Sequence, residues 1–170
     1  MNQQKTHYNT TLESHDFSII LCCNGMESPA NIGSIFRLAD AFGVEKILFD
    51  TAFIDIKSAR LRRTARATEK NIPFKFVIDL YKQIEQLKKE NYSIFGIEIT
   101  DGSTSLNTAQ FNNSKIVLVL GNESLGISKS ILEICNSHLH IDMFGLNSSM
   151  NVAQATGIAL YEITKQLNRT

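Results

Sequence analysis

A continuous apolar run of strand length, FSIILCC from Phe17 to Cys23, places the strongest limit on how this chain can fold. A second run of this kind, KIVLVLG, extends from Lys115 to Gly121. Strands that lack apolar–polar alternation are typical of parallel sheets covered on both faces. The chain therefore needs a sheet with helices packed on each side of it.

Strand-like and helix-like segments alternate along the rest of the chain. Further strands are predicted over Lys46–Phe49, Phe74–Ile78, Tyr92–Ile99 and His138–Asp142. Helices are predicted over residues 31–42, 79–91, 127–136 and 149–168. Asn31 and Asp79 have the side chains that helix N-caps favour. This order of elements predicts an α/β domain with a mainly parallel sheet and helices on both faces.

The length of 170 residues and the apolar content of 43% fit one domain, predicted over residues 17–170 after a polar N-terminal arm, residues 1–16. The arm has no apolar signal segment, and no run approaches the roughly 18 apolar residues of a membrane span. We therefore expect a cytoplasmic protein without a membrane partner. Cys22, Cys23 and Cys135 form no Cys-x-x-Cys pair. They are predicted to be reduced core thiols, and no metal is expected.

Three loops rich in small polar residues follow predicted strands. They read PANIGSIFR, GNESLGIS and MFGLNSSMNVAQA. Ligands of open parallel sheets bind at the carboxyl ends of the strands, where these loops lie. Each loop also has a purely structural interpretation, because Asn31 can cap a helix, Arg37 can extend along a surface, and the last loop must cap the final helix. Capping needs only one or two of the polar residues in that last loop, so the surplus indicates a ligand site.

The loop GNESLGIS invites comparison with a phosphate-binding P-loop. Gly121, Gly126 and Ser128 match the required spacing, but Ile127 occupies the position of the essential lysine. The dinucleotide fingerprint G-x-G-x-x-G is absent. Nucleotide hydrolysis is therefore disfavoured, and an ordinary strand-to-helix turn remains the alternative for this loop taken alone.

Taken together, the three loops resemble the signature motifs of the SpoU/TrmH RNA 2′-O-ribose methyltransferases of the SPOUT superfamily. The matching segments are NIGSIFR (Asn31 to Arg37), VLGNESLGIS (Val119 to Ser128) and the stretch from Ile141 to Ile163. The resemblance covers residues 17–165. It implies a fold that the sequence pattern does not reveal, in which the C-terminal part forms a trefoil knot around the cofactor pocket. It also implies S-adenosyl-L-methionine (SAM) as the cofactor and a homodimer as the assembly.

The resemblance assigns roles to individual residues. The implied reaction centre consists of Asn31, Arg37, Glu123, Ser149 and Asn151. The implied cofactor pocket is lined by Ile97, Glu98, Gly121, Ile141, Ser149 and Met150. An arginine is a poor general base because its pKa is above roughly 12. We therefore expect Arg37 to stabilise a developing 2′-oxyanion and to clamp a phosphate, with a phosphate-assisted base role as the alternative.

Residues 57–70, KSARLRRTARATEK, carry six cations and one acid in a chain of zero net charge. A solvated basic helix face is the usual meaning of such a run. Here the segment follows the second predicted strand, whose carboxyl end faces the same side as the three motifs. Arg60, Arg62, Arg63 and Arg66 are therefore predicted to contact the RNA backbone.

The sequence predicts a SAM-dependent methyltransferase acting on a ribose 2′-hydroxyl of RNA. Because small relatives in this family mostly modify tRNA, the resemblance favours tRNA as the substrate, with rRNA as the alternative. A catalytically silent RNA-binding factor on the same fold is a further alternative, but such a factor would be expected to have lost Arg37 or the polar residues of the third motif. An unrelated nucleotide-binding enzyme is disfavoured by the missing P-loop lysine.

Overall fold

The computed structural model describes residues 14–51 and 54–168, so most of the predicted N-terminal arm lies outside the described residues. The strands are β1 (Ser18–Cys23), β2 (Lys46–Phe49), β3 (Phe74–Phe76), β4 (Ser93–Ile97), β5 (Thr104–Ser105), β6 (Lys115–Leu120) and β7 (Ser137–His140). The helices are α1 (Pro29–Ala41), α2 (Ala59–Ala65), α3 (Leu80–Lys89), α4 (Lys129–Ile134) and α5 (Val152–Leu167), with a short 3₁₀ helix over Thr68–Lys70.

The seven strands form one sheet in the order β3-β2-β1-β6-β4-β7-β5. Every neighbouring pair is parallel. In the centre, Ile20 of β1 lies between Lys46 of β2 and Val117 of β6. The prediction of a mainly parallel sheet is confirmed. Because all strands run the same way, the loops after β1, β4, β6 and β7 leave from one edge of the sheet.

The two faces of the sheet bury different helices. Alternate residues of β1, such as Ile19 and Leu21, join a core cluster that also contains Phe36 of α1 and Leu160 of α5. The intervening residues, such as Ile20, pack with α3 and α4 in a second cluster. The prediction of helices on both faces is therefore confirmed, whereas the trefoil knot stays a prediction.

The ends of several elements differ from their predicted positions. Helix α1 begins at Pro29 and not at Asn31, and Ser28 is its N-cap. The alternative interpretation of Asn31 as the helix cap is therefore wrong. Proline favours the first helical position because it has no N–H group to leave unpaired there. Asp79 does cap α3, since its side chain accepts a hydrogen bond from the backbone N–H of Lys82 at 3.0 Å.

Strand boundaries also shifted by a few residues. The third strand is shorter than predicted and ends at Phe76. The turn-rich segment TDGSTSLN contains the two-residue strand β5, which pairs with β7 and was not predicted. Helix α5 begins at Val152, three residues later than predicted, so Ser149 to Asn151 belong to the preceding loop. All three residues line a cavity described below.

The three cysteines are free thiols, as predicted. Cys22 and Cys23 are fully buried in the sheet, and burial raises the pKa of both thiols. Burial also raises the pKa of the partly buried Cys135 to about 11. Among residues 14–51 and 54–168, no helix is long and apolar enough to cross a membrane. That same part of the chain has no cluster of three His, Cys, Asp or Glu side chains placed to hold a metal ion.

Helix α1 and helix α2 approach each other closely at Gly33. A Cβ atom added at Gly33 would lie less than 3.0 Å from both the Thr64 hydroxyl and the Leu61 carbonyl oxygen. The Leu61 carbonyl belongs to the backbone and cannot move aside without shifting α2. Glycine at position 33 therefore allows the basic helix α2 to pack against α1.

The substitution Gly33→Ala should lower the free energy of unfolding by about 1 to 3 kcal/mol, because overpacking outweighs the better helix propensity of alanine. Urea denaturation followed by circular dichroism measures this loss. Gly102→Ala is the matched control, since a Cβ there meets no atom within 4 Å. Equal stability of the Gly33 variant and the wild type would show that α1 and α2 are not in close contact.

Candidate active site

A cavity of about 390 Å³ opens at the carboxyl ends of β4, β6 and β7. Its lining includes all six residues predicted to hold a cofactor, which are Ile97, Glu98, Gly121, Ile141, Ser149 and Met150. Isoleucine side chains from two strand ends supply an apolar part of the wall, and the loop residues supply polar groups. We call this space the first cavity.

Glycines and one carboxylate shape the wall of the first cavity. A Cβ at Gly121 would lie 2.5 Å from the carbonyl carbon of Gly126, so the loop after β6 can fold back only over a glycine. Gly126 itself has a φ of +68°, in the left-handed region that glycine tolerates best. Glu98 accepts hydrogen bonds from the backbone N–H groups of Ile127 at 3.0 Å and Ile99 at 3.1 Å. This carboxylate thereby joins the end of β4 to the loop after β6.

Three of the predicted reaction-centre residues form a hydrogen-bonded chain. The amide of Asn31 donates to a carboxylate oxygen of Glu123 at 2.6 Å. The amide of Asn151 donates to the carbonyl oxygen of Asn31 at 2.9 Å, while Asn151 also caps α5 by accepting from the N–H of Ala153. The three residues lie on three different loops or helix ends. The chain therefore fixes those loops relative to one another at the mouth of the first cavity, which Glu123 and Asn151 line.

A second cavity of about 650 Å³ adjoins this chain. Arg37, Arg63 and Arg66 line it, together with Asn151, which the two cavities share. Among the described residues no aspartate or glutamate lines this second cavity. The structure thus brings Arg37 together with two of the four predicted RNA-contacting arginines. All four of these arginines are exposed, but Arg60 and Arg62 do not line the second cavity.

The backbone around Arg66 is unusual for residues other than glycine. Arg66 and Ala67 have φ values of +52° and +73°, respectively. Left-handed backbone at such residues costs about 1 to 3 kcal/mol and persists only where neighbouring contacts hold it. Arg66 ends α2 in this conformation while its side chain lines the second cavity.

A second group of polar residues, which was not predicted from the sequence, also supports the site. Asn122 donates to the Gly25 carbonyl at 2.6 Å, and its own side-chain oxygen accepts from the N–H groups of Ser124 and Leu125. Asn24 accepts from the N–H of Ser128 at 2.7 Å and donates to Asp50 at 2.6 Å. A polar residue directly after each of three predicted strands, at Asn24, Asp50 and Asn122, was the signal that could have revealed this group.

Comparison with known proteins decides the family. The model of the SpoU rRNA Methylase family matches residues 18–161, which is most of the chain. The chain belongs to the SpoU rRNA Methylase family. This SpoU chain is 33% identical over 148 residues to 23S rRNA (guanosine-2′-O-)-methyltransferase RlmB of Blochmanniella floridana, covering 87% of the chain and 58% of that relative. The SpoU chain therefore spans less than two thirds of the length of this curated relative.

Solved structures agree with the SpoU assignment. A structure described as giving insights into the 2-OH methylation of C/U34 on tRNA is 26% identical, with a TM-score of 0.79, and the match covers 91% of the SpoU chain and 99% of that protein. The SpoU methyltransferase AviRb of Streptomyces viridochromogenes, solved in complex with AdoMet, is also 26% identical, with a TM-score of 0.77. That match covers 91% of the SpoU chain and 59% of AviRb.

The substitution Asn122→Ala should loosen the loop after β6, because it removes one donor and one acceptor that hold backbone groups. We expect a loss of about 1 to 3 kcal/mol in unfolding free energy. Hydrogen exchange at residues 123–126 should accelerate, and mass spectrometry of the exchanged peptides measures the change. Asn112→Ala, at an exposed loop position, is the control. Unchanged exchange in residues 123–126 would show that Asn122 does not organise this loop.

Proposed function

We propose that this protein is a SAM-dependent RNA methyltransferase that transfers a methyl group to a ribose 2′-hydroxyl, with tRNA as the substrate. The main observation behind the proposal is that Asn151 lines both cavities. Asn151 also belongs to the hydrogen-bonded chain with Asn31 and Glu123. One cavity offers apolar and small polar groups, and the other offers three guanidinium groups. Such a pair of sites can hold an adenosyl cofactor next to a phosphate backbone.

The residues of the first cavity fit SAM. Ile97 and Ile141 offer apolar surface for an adenine ring, and Gly121 lets the backbone approach a ligand without a side chain in between. Ser149 and Met150 close the cavity from the loop before α5. When bound, SAM supplies an electrophilic methyl group on a sulfonium. The AdoMet complex of AviRb supports this choice of cofactor.

The reaction also needs groups that align the ribose and manage its hydroxyl proton. Arg37 is exposed in the second cavity, where a guanidinium can hold a phosphate and stabilise negative charge on the 2′-oxygen. Asn31, Glu123, Ser149 and Asn151 hold the surrounding loops at the junction of the cavities. Alignment of the reacting groups contributes much of the rate enhancement in reactions of this kind.

A solved structure with a TM-score of 0.79 supports tRNA over rRNA as the substrate. The solved protein linked to C/U34 of tRNA is matched over 99% of its own length, whereas the rRNA methyltransferase RlmB is matched over 58%. We expect the SpoU chain to act in the cytoplasm, where tRNA is available.

Mapping of 2′-O-methyl nucleotides by mass spectrometry tests the function directly. RNA from cells with and without the gene is compared, and purified protein is then incubated with SAM and the unmethylated RNA. Loss of one methylated tRNA position in the cells, restored in vitro, is the expected result. Loss of a methyl group from rRNA would show that rRNA, and not tRNA, is the substrate. RNA binding without methyl transfer to any RNA would favour a silent binding factor.

The substitution Arg37→Ala should abolish methyl transfer and leave SAM affinity nearly unchanged, because Arg37 lines the second cavity and not the first. Single-turnover transfer of labelled methyl groups measures the rate, and calorimetry measures SAM affinity. Lys129→Ala, on α4 at the opposite face of the sheet, is the control. A variant that kept more than about a tenth of the wild-type kcat would show that Arg37 is not part of the reaction centre. Such a variant would have lost less than about 1.4 kcal/mol of transition-state stabilisation.

The four predicted RNA-contacting arginines should contribute unequally. Replacing both Arg63 and Arg66 by alanine should weaken tRNA binding strongly. The plot of the logarithm of the association constant against the logarithm of the salt concentration should become less steep by about 1 to 2, because two phosphate contacts are lost. The matched variant, in which Arg60 and Arg62 are replaced, should lose less affinity because those side chains lie outside the second cavity. Filter binding over a range of salt concentrations measures both. Equal losses in the two variants would contradict a role for the cavity.

We further propose that the protein is a homodimer. An apolar surface on α5 exposes Ile158 and Tyr161 and continues into a cavity of about 530 Å³ that Met150 and Gly157 also line. Oligomers of this kind pair identical surface patches. Sedimentation should give a species of twice the 19.0 kDa monomer mass, and Tyr161→Glu should dissociate it. A stable wild-type monomer at micromolar concentration would exclude the dimer.

A further inference from the structure

The first cavity carries an unbalanced charge that its predicted role as a cofactor pocket does not require. Glu98 and Glu123 both line it, and among the described residues no lysine or arginine does. The remaining titratable side chain in its wall is His140, which lies 3.5 Å from Asp142. The cavity therefore contains two carboxylates, and a third carboxylate lies beside its histidine.

Glu98 is held in one orientation. Its two oxygens accept from two different backbone N–H groups, those of Ile99 and Ile127, on two different loops. A Cβ at Gly126 would lie 2.3 Å from an oxygen of the same carboxylate, so a glycine at position 126 leaves room for Glu98. Accepting two hydrogen bonds through both oxygens is the role of an ionised carboxylate. Glu98 thus places a fixed negative charge in the cavity wall.

We infer that Glu98, assisted by Glu123, makes the first cavity prefer the positively charged methyl donor SAM to the neutral product S-adenosyl-L-homocysteine. The inference rests on the proposed function and specifies how that cavity distinguishes its two ligands. The donor and the product share the adenosine and the amino-acid zwitterion. They differ by one methyl group and by the positive charge of the sulfonium, so a difference in their affinities reports largely on charge.

Methyl transfer changes this charge in the direction that favours release of the product. The S–CH₃ bond breaks, an O–CH₃ bond forms at the ribose, the sulfur keeps the electron pair as a neutral thioether, and the hydroxyl proton passes to solvent. The favourable interaction between the sulfonium and the two carboxylates is lost at that moment. Coulombic attraction between single charges several ångströms apart in a partly solvated site can change affinity by about tenfold.

The experiment measures the dissociation constants of SAM, S-adenosyl-L-homocysteine and sinefungin by calorimetry. In sinefungin, a carbon that carries a protonated amine at neutral pH replaces the S–CH₃ group of SAM, so sinefungin should follow SAM. In Glu98→Gln, the ratio of the product Kd to the SAM Kd should fall by about three- to tenfold, as expected for the loss of one nearby charge. Glu98→Asp should retain the preference. Glu133→Gln on α4 is the control, since Glu133 is exposed and pairs with Lys129.

A measurement on the wild type tests the inference without any variant. Raising the salt concentration should weaken SAM binding more than product binding, because added ions screen the attraction between the carboxylates and the sulfonium. An unchanged affinity ratio in Glu98→Gln, or an equal loss for both ligands, would overturn the charge preference and leave the proposed function intact. Failure of the wild type to bind either ligand at millimolar concentration would instead overturn the proposed function.

Discussion

Two asparagine side chains tie the loop after β1 to the loop after β6, and the rest of the site depends on these ties. Asn122 donates to the Gly25 carbonyl, and Asn24 accepts from the N–H of Ser128. Because β1 and β6 are parallel neighbours, both loops leave the same edge of the sheet. These hydrogen bonds hold the two loops in fixed positions, in which the amide of Asn31 lies 2.6 Å from the carboxylate of Glu123.

The sequence carried enough information to predict the longer strands of the sheet and the residues that line the first cavity. Runs such as FSIILCC admit few alternatives to a buried parallel strand, and the polar residues after the strands had to collect at one edge. Element ends were harder to predict because competing signals lie close together. Pro29 and Asn31 both mark a helix start, and backbone geometry at the proline prevailed. The strand β5 has two residues, too few to produce any periodicity.

The arrangement of the arginines could not be derived from charge alone. Four arginines of the basic segment look equivalent in the sequence, but a helix turns their side chains in different directions. Arg63 and Arg66 are three residues apart and line the same cavity as Arg37, whereas Arg60 and Arg62 do not line it. Their position relative to Arg37 follows from the close contact of α1 and α2 at Gly33. That contact joins residues about 30 positions apart, which no local pattern encodes.

Although the net charge of the chain is zero, negative and positive side chains are divided between the two cavities. The first cavity is lined by the carboxylates of Glu98 and Glu123, and the second by the guanidinium groups of Arg37, Arg63 and Arg66. Asn151 stands between them as an uncharged residue that lines both. A neutral side chain at the junction lets opposite charges lie close without pairing, since Glu123 is engaged by the amide of Asn31 and not by an arginine. Glu98 and Glu123 thus accept hydrogen bonds from uncharged amide groups, and their negative charge is not neutralised by the guanidinium groups of the second cavity. A protein with the same net charge but with these groups paired would have neither site.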